Sequence, residues 1–122
     1  MTAGARIYHL AVRAEWDAAG ADGYYRRSTL GASLDDVGFI HCSHAHQVST
    51  IADLVYRGRD DVVLLEIDPA RVDAEVRVEP AHGDEYPHIY GPLPADAVVR
   101  THDLELDGSG TLVIPRLGDA VR

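Results

Sequence analysis

Along residues 6–12, RIYHLAV, apolar and polar positions alternate among β-branched and aromatic side chains. That pattern predicts a strand with His9 set between Tyr8 and Leu10. Residues 15–20 predict a short helix that turns Trp16 and Ala19 inward and is ended by Gly20 and Gly23. The stretch 24–36 is polar and reads as an irregular excursion. Residues 37–43, VGFIHCS, predict a second strand, after which Ser43 is placed to cap a helix over 44–57. In that helix Val48, Ile51, Ala52 and Val55 recur at helical spacing, and Gly58 stops it. Residues 62–68, VVLLEID, form a nearly continuous apolar run, as expected of a central strand buried on both faces. Asp68-Pro69 begins a turn, and the alternation of Val72, Ala74, Val76 and Val78 predicts a strand over 71–78. Residues 80–87 read as a loop rich in turn formers, and 88–90 as a short extended piece closed by Gly91-Pro92. A strand over 97–106 follows. Asp107-Gly108-Ser109-Gly110 predicts a hairpin turn into 111–114, and the tail beyond is expected to fray.

Six or seven strands late in the chain and two helices early favour an α+β domain with a mostly antiparallel sheet. At 122 residues there is room for one domain, 1–122, and its core needs no staples. The one cysteine, Cys42, rules out an internal disulfide and fits a reducing, cytoplasmic setting. The N-terminal apolar run is broken by His9 and Arg13, which argues against a signal peptide, and no stretch approaches a membrane span. A net charge of −9 disfavours duplex nucleic acid as a partner. A small anion needs only a local cluster of donors. Arg13, Arg26 and Arg27 are the densest early basic group, and a solvated surface is the favoured reading of them.

Seven histidines are unevenly placed. His9 sits on the first strand, His41, His44 and His46 at a strand-to-helix junction, and His88 before Tyr90; His82 and His102 read as ordinary loop and strand-surface residues. A metal site on His41, His44 and His46 has suitable ligands. Two histidines two apart on a helix diverge, however, and no Cys pair or HExxH is present, so no metal is expected. An organic site is the stronger reading. His41 would enter a cleft beside free amides of the following helix, where imidazole can meet a phosphate, a ribose hydroxyl or a carboxamide. The plainer alternative for each histidine is a buried ring tied to a backbone carbonyl. Burying both His9 and His41 without partners is costly, so both are expected to converge on one polar hollow. Cys42 points away from His41 and is a poor nucleophile. Ser43 is explained by capping, and no GxSxG elbow, P-loop or dinucleotide fingerprint occurs. Glu66, Asp68, Glu79 and Glu85 are the acids near these segments, with surface or turn roles as the plain alternative. Trp16 and Tyr24 read more readily as core than as ligand platforms.

IYHL, GFIHCS, LLEID and YPHIYGPL together resemble the bacterial family catalogued as domain of unknown function 952, over residues 7–115. Trp16, Gly23-Tyr24, Gly38-Phe39-Ile40-His41, Ser43, Gln47, Asp68, Glu79 and Pro87-His88-x-Tyr90-Gly91 carry the resemblance. That family is similar in fold to the ADP-ribosyltransferase superfamily, which uses NAD in a cleft between two antiparallel half-sheets. The resemblance implies an ADP-ribosylation-like split sheet, with His9 in the first signature position and His41 in the second, as in the branch with RNA 2′-phosphotransferases. For the third position PHIYG offers His88, Ile89 or Tyr90 and no glutamate; Glu79 is the nearest acid.

The leading expectation is therefore an NAD- or ADP-ribose-handling protein. His9, His41 and Glu79 would be catalytic, and Ser43, Tyr24, His88 and Tyr90 would bind the small nucleotide-like ligand. Glu79 would stabilise an oxocarbenium ion, and a tyrosine would stack on a ring. A non-catalytic module for a nucleotide-like metabolite or a partner protein is the second expectation. A metal-dependent enzyme using His41, His44 and His46 is the third.

Overall fold

A computed structural model of the chain describes residues 5–28 and 32–117. It is an α+β arrangement of short antiparallel strands with three short helices. Strand β1 (Ile7–Val12) pairs along its full length with β4 (Val62–Ile67). β4 pairs in turn with β8 (Val98–Asp103), giving the order β1-β4-β8. All six residues of β4 are buried, as its unbroken apolar run predicts. A second sheet orders β3 (Ile40–His41), β6 (Asp84–Ile89) and β5 (Val76–Ala81). Among the described residues, one isolated backbone bridge joins the two sheets. Tyr8 donates to the Ser43 carbonyl at 2.8 Å and Ser43 donates back at 2.7 Å, so β1 and the end of β3 share one antiparallel bridge. Two small ladders complete the described residues: β2 (Tyr24–Tyr25) with β7 (Leu93–Pro94), and β9 (Glu105–Leu106) with β10 (Leu112–Val113) around the expected Asp107–Gly110 turn.

The strand alternation sorts the interior into two layers. On one face Ile7, Ala11, Val63, Leu65, Ile67, Ile40, Cys42 and Ile89 join Tyr25, Leu93 and Ala97. On the other, Tyr8, Leu10, Val62, Leu64 and Tyr86 pack against helix α3 (Val48–Val55) through Val48, Ile51 and Ala52. Helix α1 (Arg13–Ala18) continues directly from β1 and ends in a 3-10 turn over Ala19–Ala21.

Several local expectations change. The irregular region contains β2 and a one-turn helix α2 (Leu34–Val37), started by a reciprocal Ser33–Asp36 capping box and closed by Gly38 at φ 95°. That helix takes the first residues of the expected second strand, leaving β3 with two. Pro87 accepts the Cys42 N–H at 2.9 Å but has no N–H to return, so the β3–β6 ladder stops at His41. Ser43 does not cap the long helix, because its backbone is committed to Tyr8. α3 begins instead at Val48, after a 3-10 turn over Ala45–Gln47. The expected strand over 71–78 opens with a 3-10 turn at Pro69–Arg71, where the Asp68 carboxylate accepts from Ala70 at 3.0 Å, and extends only from Val76. The expected loop over 80–87 is mostly strand. His82 (φ 49°) and Gly83 (φ 80°) form a two-residue turn that pairs Ala81 with Asp84 and runs β5 straight into β6. The strand over 97–106 breaks at Leu104, which is buried. The tail from residue 118 on lies outside the described residues. Among those described, no helix is long and apolar enough to cross a membrane.

Candidate functional site

His9 lies on β1 with its ring in the first core layer, 3% exposed. Both ring nitrogens are engaged. Nδ1 is 2.7 Å from the His41 carbonyl oxygen, which can only accept, so Nδ1 carries the proton. Nε2 is then the acceptor for the Tyr25 hydroxyl at 2.9 Å. Burial pushes the His9 pKa down to about 4, with the bond to His41 opposing the shift. The same burial raises the Tyr25 phenol. His9 is thus a neutral crosslink between β1, β2 and β3.

His41 points the other way. Its neighbours Ile40 and Cys42 enter the first core layer, so the ring emerges on the opposite face of β3. The expected shared hollow of His9 and His41 does not form; the two residues are joined through the His41 carbonyl, not ring to ring. The tautomer of His41 is not fixed by any bond in the described structure. Burial lowers its pKa to about 4, and the nearby imidazoles of His88, His9 and His82 add to the effect.

The cross-strand pairing of β3 with β6 places His88 directly opposite His41. Their ring centroids are 5.2 Å apart. His88 is 3% exposed and lies flat on Phe39, centroids 4.1 Å apart and planes 15° off parallel. Its Nδ1 is 2.8 Å from Oε1 of Glu79, a diagonal neighbour on β5 that pairs with Tyr86. The same carboxylate oxygen accepts the Tyr90 hydroxyl in a short hydrogen bond. These two donors hold the Glu79 carboxyl below the usual carboxylate range, and the Tyr90 phenol is raised in return. An ionised Glu79 can only accept, so His88 carries a proton on Nδ1, and in the neutral form of the ring Nε2 is the lone-pair nitrogen. Among the described residues, neither His88 Nε2 nor His41 Nε2 has a hydrogen-bond partner, although both are buried.

Around this pair, Tyr86 lies 5.0 Å from the His41 ring and His82 stands edge-on to it at 5.5 Å. Arg77, opposite His88 in register, places its guanidinium 4.7 Å from the centre of the Tyr90 ring while bonding Glu75 at 3.0 Å. The face is braced at one end by Gln47. Its carboxamide accepts the His44 N–H at 2.9 Å and donates to Asp84 at 3.0 Å and to the Glu85 carbonyl at 2.7 Å.

Of the expected site residues, His41, Glu79, His88 and Tyr90 come together. Ser43 is buried at the seam between the sheets. Tyr24 is 38% exposed and lines grooves with Arg71, Asp73 and Asp96 and with Glu15 and Arg26, apart from the imidazole pair. His44 and His46 stack on each other and line a separate groove of about 870 Å³ with Arg6, Ile114 and Leu117. No group of three or more His, Cys, Asp or Glu among the described residues is arranged to hold a metal ion, so the His41, His44 and His46 grouping does not assemble. Glu66 is explained by its partners His102 at 3.1 Å and Arg6 at 3.6 Å. Sequence reasoning missed Phe39, Arg77, His82 and Tyr86 as members of the face. The two-residue spacing of Arg77 and Glu79 would have found Arg77 once β5 was known to continue past Val78.

A model of the family described as protein of unknown function, DUF952, matches residues 10–101. The chain belongs to the DUF952 family. No curated protein matches it. Two solved structures of CC0527 from Caulobacter crescentus are similar to this DUF952 chain. The crystal structure is 35% identical with a TM-score of 0.78, covering 93% of this chain and 96% of that one. The solution NMR structure is 36% identical with a TM-score of 0.71, covering 95% and 96%.

Proposed function

We propose that this DUF952 chain binds a small nucleotide-like anion of the NAD or ADP-ribose class on the face of β3, β6 and β5 that carries His41 and His88. The observation that carries the reading is the pair of buried, adjacent imidazoles whose Nε2 atoms have no partner among the described residues. A buried polar atom left unpaired costs about 1–3 kcal/mol, a cost that a ligand hydroxyl or amide would remove. The Tyr90 and Phe39 rings, 5.4 Å apart, offer an aromatic wall for a base or nicotinamide ring. Arg77 at the rim supplies the positive charge for a phosphate. In this reading His41 and His88 contact the ligand, and His9 acts as a positioning residue that fixes the His41 backbone. The meeting of two antiparallel half-sheets at one backbone bridge supports an ADP-ribosylation-like fold. The single buried thiol, Cys42, fits a cytoplasmic setting.

A second reading, a binding module without turnover, is favoured by Glu79. Its carboxylate is taken up by His88 and Tyr90, so it does not stand open to an oxocarbenium ion. Titration calorimetry with NAD and with ADP-ribose tests the common part of both readings. The expected result is binding at millimolar ligand or better, a raised melting temperature, and a loss of affinity of about tenfold or more in His41→Ala, as one charge-assisted or buried hydrogen bond commands. No heat and an unchanged melting temperature at millimolar ligand refute it. Release of nicotinamide over hours separates the enzyme from the module.

A further inference from the structure

We infer that the groove between the turn before α3 and the segment after β10 binds an amphiphilic monoanion, a small organic molecule with one carboxylate on an apolar body. None of its lining residues belongs to the imidazole pair or its surroundings, so the inference does not depend on the NAD-class reading. The groove has a volume of about 870 Å³. That lies within the range of about 300–1,000 Å³ usual for small-molecule sites. Its floor is hydrocarbon. Leu117 is buried, and with the partly buried Ala45 and Ile114 it packs into the second core layer, so the groove is where that layer comes to the surface. Apolar surface of this kind is best covered by a ligand that is itself apolar over most of its length.

The charged and titratable groups of the lining are all basic. Arg6, Arg116, His44 and His46 contribute, and among the described residues no aspartate or glutamate does, although the chain carries 20 acids against 11 lysines and arginines. The size of the local excess selects the ligand's charge. Arg6 is already shared between Glu66 at 3.6 Å and Asp68 at 3.5 Å. Arg116 is exposed and has no ion pair among the described residues. One unspent guanidinium matches one negative charge, and its planar fork takes a carboxylate in two parallel bonds. The remaining carboxylate lone pairs need only neutral donors. His44 and His46, parallel rings with centroids 5.9 Å apart, and the Ser49 hydroxyl supply them. A neutral ligand would leave Arg116 unused, and a dianion would bring a second charge with no fixed cation left to meet it.

Titration of octanoate into the full chain, followed by amide and methyl shifts, tests the assignment. Saturable shifts centred on Ala45, Ser49, Ile114 and Leu117 are expected at millimolar ligand. Along the series from butanoate to octanoate the affinity should rise about two- to fourfold per added CH₂, as burial of each methylene predicts. Arg116→Gln should weaken octanoate by about fivefold, the upper worth of an exposed charge pair, and leave the neutral probe octanamide unchanged. Octyl phosphate should bind no more tightly than octanoate. Ser49→Trp sets a bulky side chain at an exposed position on the groove wall and should abolish the Ile114 and Leu117 shifts without lowering the melting temperature. Shifts scattered over the surface, or without saturation at millimolar octanoate, overturn the proposal. So do parental octanoate affinity in Arg116→Gln, octanamide bound as tightly as octanoate, octyl phosphate bound more tightly, and groove shifts that persist in Ser49→Trp. Groove resonances that move on dilution of the free protein but not with octanoate give the groove to a second copy of the chain and overturn it as well.

Discussion

Mild acid should unfold this protein through His9. In the native state its ring is neutral, with a pKa near 4 against an ordinary 6.5, and both nitrogens are committed to His41 and Tyr25. The unfolded chain therefore binds a proton at His9 that the native chain refuses between about pH 6.5 and pH 4. Stability from this group is fully present above the unfolded pKa and is lost as pH falls through the window. Taking those two pKa values, the loss between pH 8 and pH 5 is about 2 kcal/mol, a substantial share of the stability of a domain this size. Asp22, Asp36, Asp84, Glu75 and Glu79 interfere little between pH 8 and pH 5, because each is held below an ordinary value that already lies under that range. His41 shifts in the same direction but is less deeply buried and contributes less. Urea unfolding of the parent and of His9→Asn at pH 8, 6.5, 5.5 and 5 isolates the His9 part, since His41 titrates in both proteins. The parent should lose about 2 kcal/mol more than the variant across this range. Parallel stability–pH curves for the two proteins refute a neutral, sealed His9.

Three further substitutions probe the frame around the imidazole pair. Gly91→Ala should destabilise by about 1–3 kcal/mol in chemical unfolding, because the new Cβ would lie 2.7 Å from that of Ala74; an unchanged midpoint removes the close approach as the reason for glycine. Gly83→Ala meets no atoms within 4 Å but must hold φ 80°. It should therefore cost about 1 kcal/mol through the backbone alone, with the hairpin amides exchanging faster; exchange at the parental rate counts against a two-residue turn. Gln47→Ala removes two hydrogen bonds from the turn before α3 to the start of β6 and one, from the His44 N–H, that closes the turn itself. It should cost about 2 kcal/mol and broaden the His41 ring resonances, whereas a loss below about 0.5 kcal/mol would show that the brace is dispensable.

The central strand was the most legible element, because six consecutive buried residues need no knowledge of register to be recognised. β6 was hidden by its composition. Pro80, Gly83 and Pro87 read as loop formers, yet Pro80 sits on the edge strand and Pro87 spends its missing N–H where β3 departs. The turn itself carries His82, not asparagine, at its first left-handed position, so the usual hairpin signal is absent. With β6 taken for a loop, Glu79 had no visible partner, and the contact between Glu79 and His88 could not be inferred from a separation of nine residues.

The two-histidine idea failed at the phase between strands, a quantity that neither strand's own sequence contains. Tyr8 lies directly across from Ser43, so those two share a face. His41 is two residues from Ser43 and keeps that face, while His9 is one residue from Tyr8 and takes the other. A pairing shifted by a single residue would have put both imidazoles on one side, as the sequence suggested. The observed register instead divides the work. The histidine on the core side is consumed in holding the His41 carbonyl, and the open side receives its second imidazole from β6. That second ring comes with a carboxylate already attached, which His9 lacks. The one-residue phase between β1 and β3 thus sets His9 in the core layer, and the separate register of β3 with β6 sets His88 beside His41.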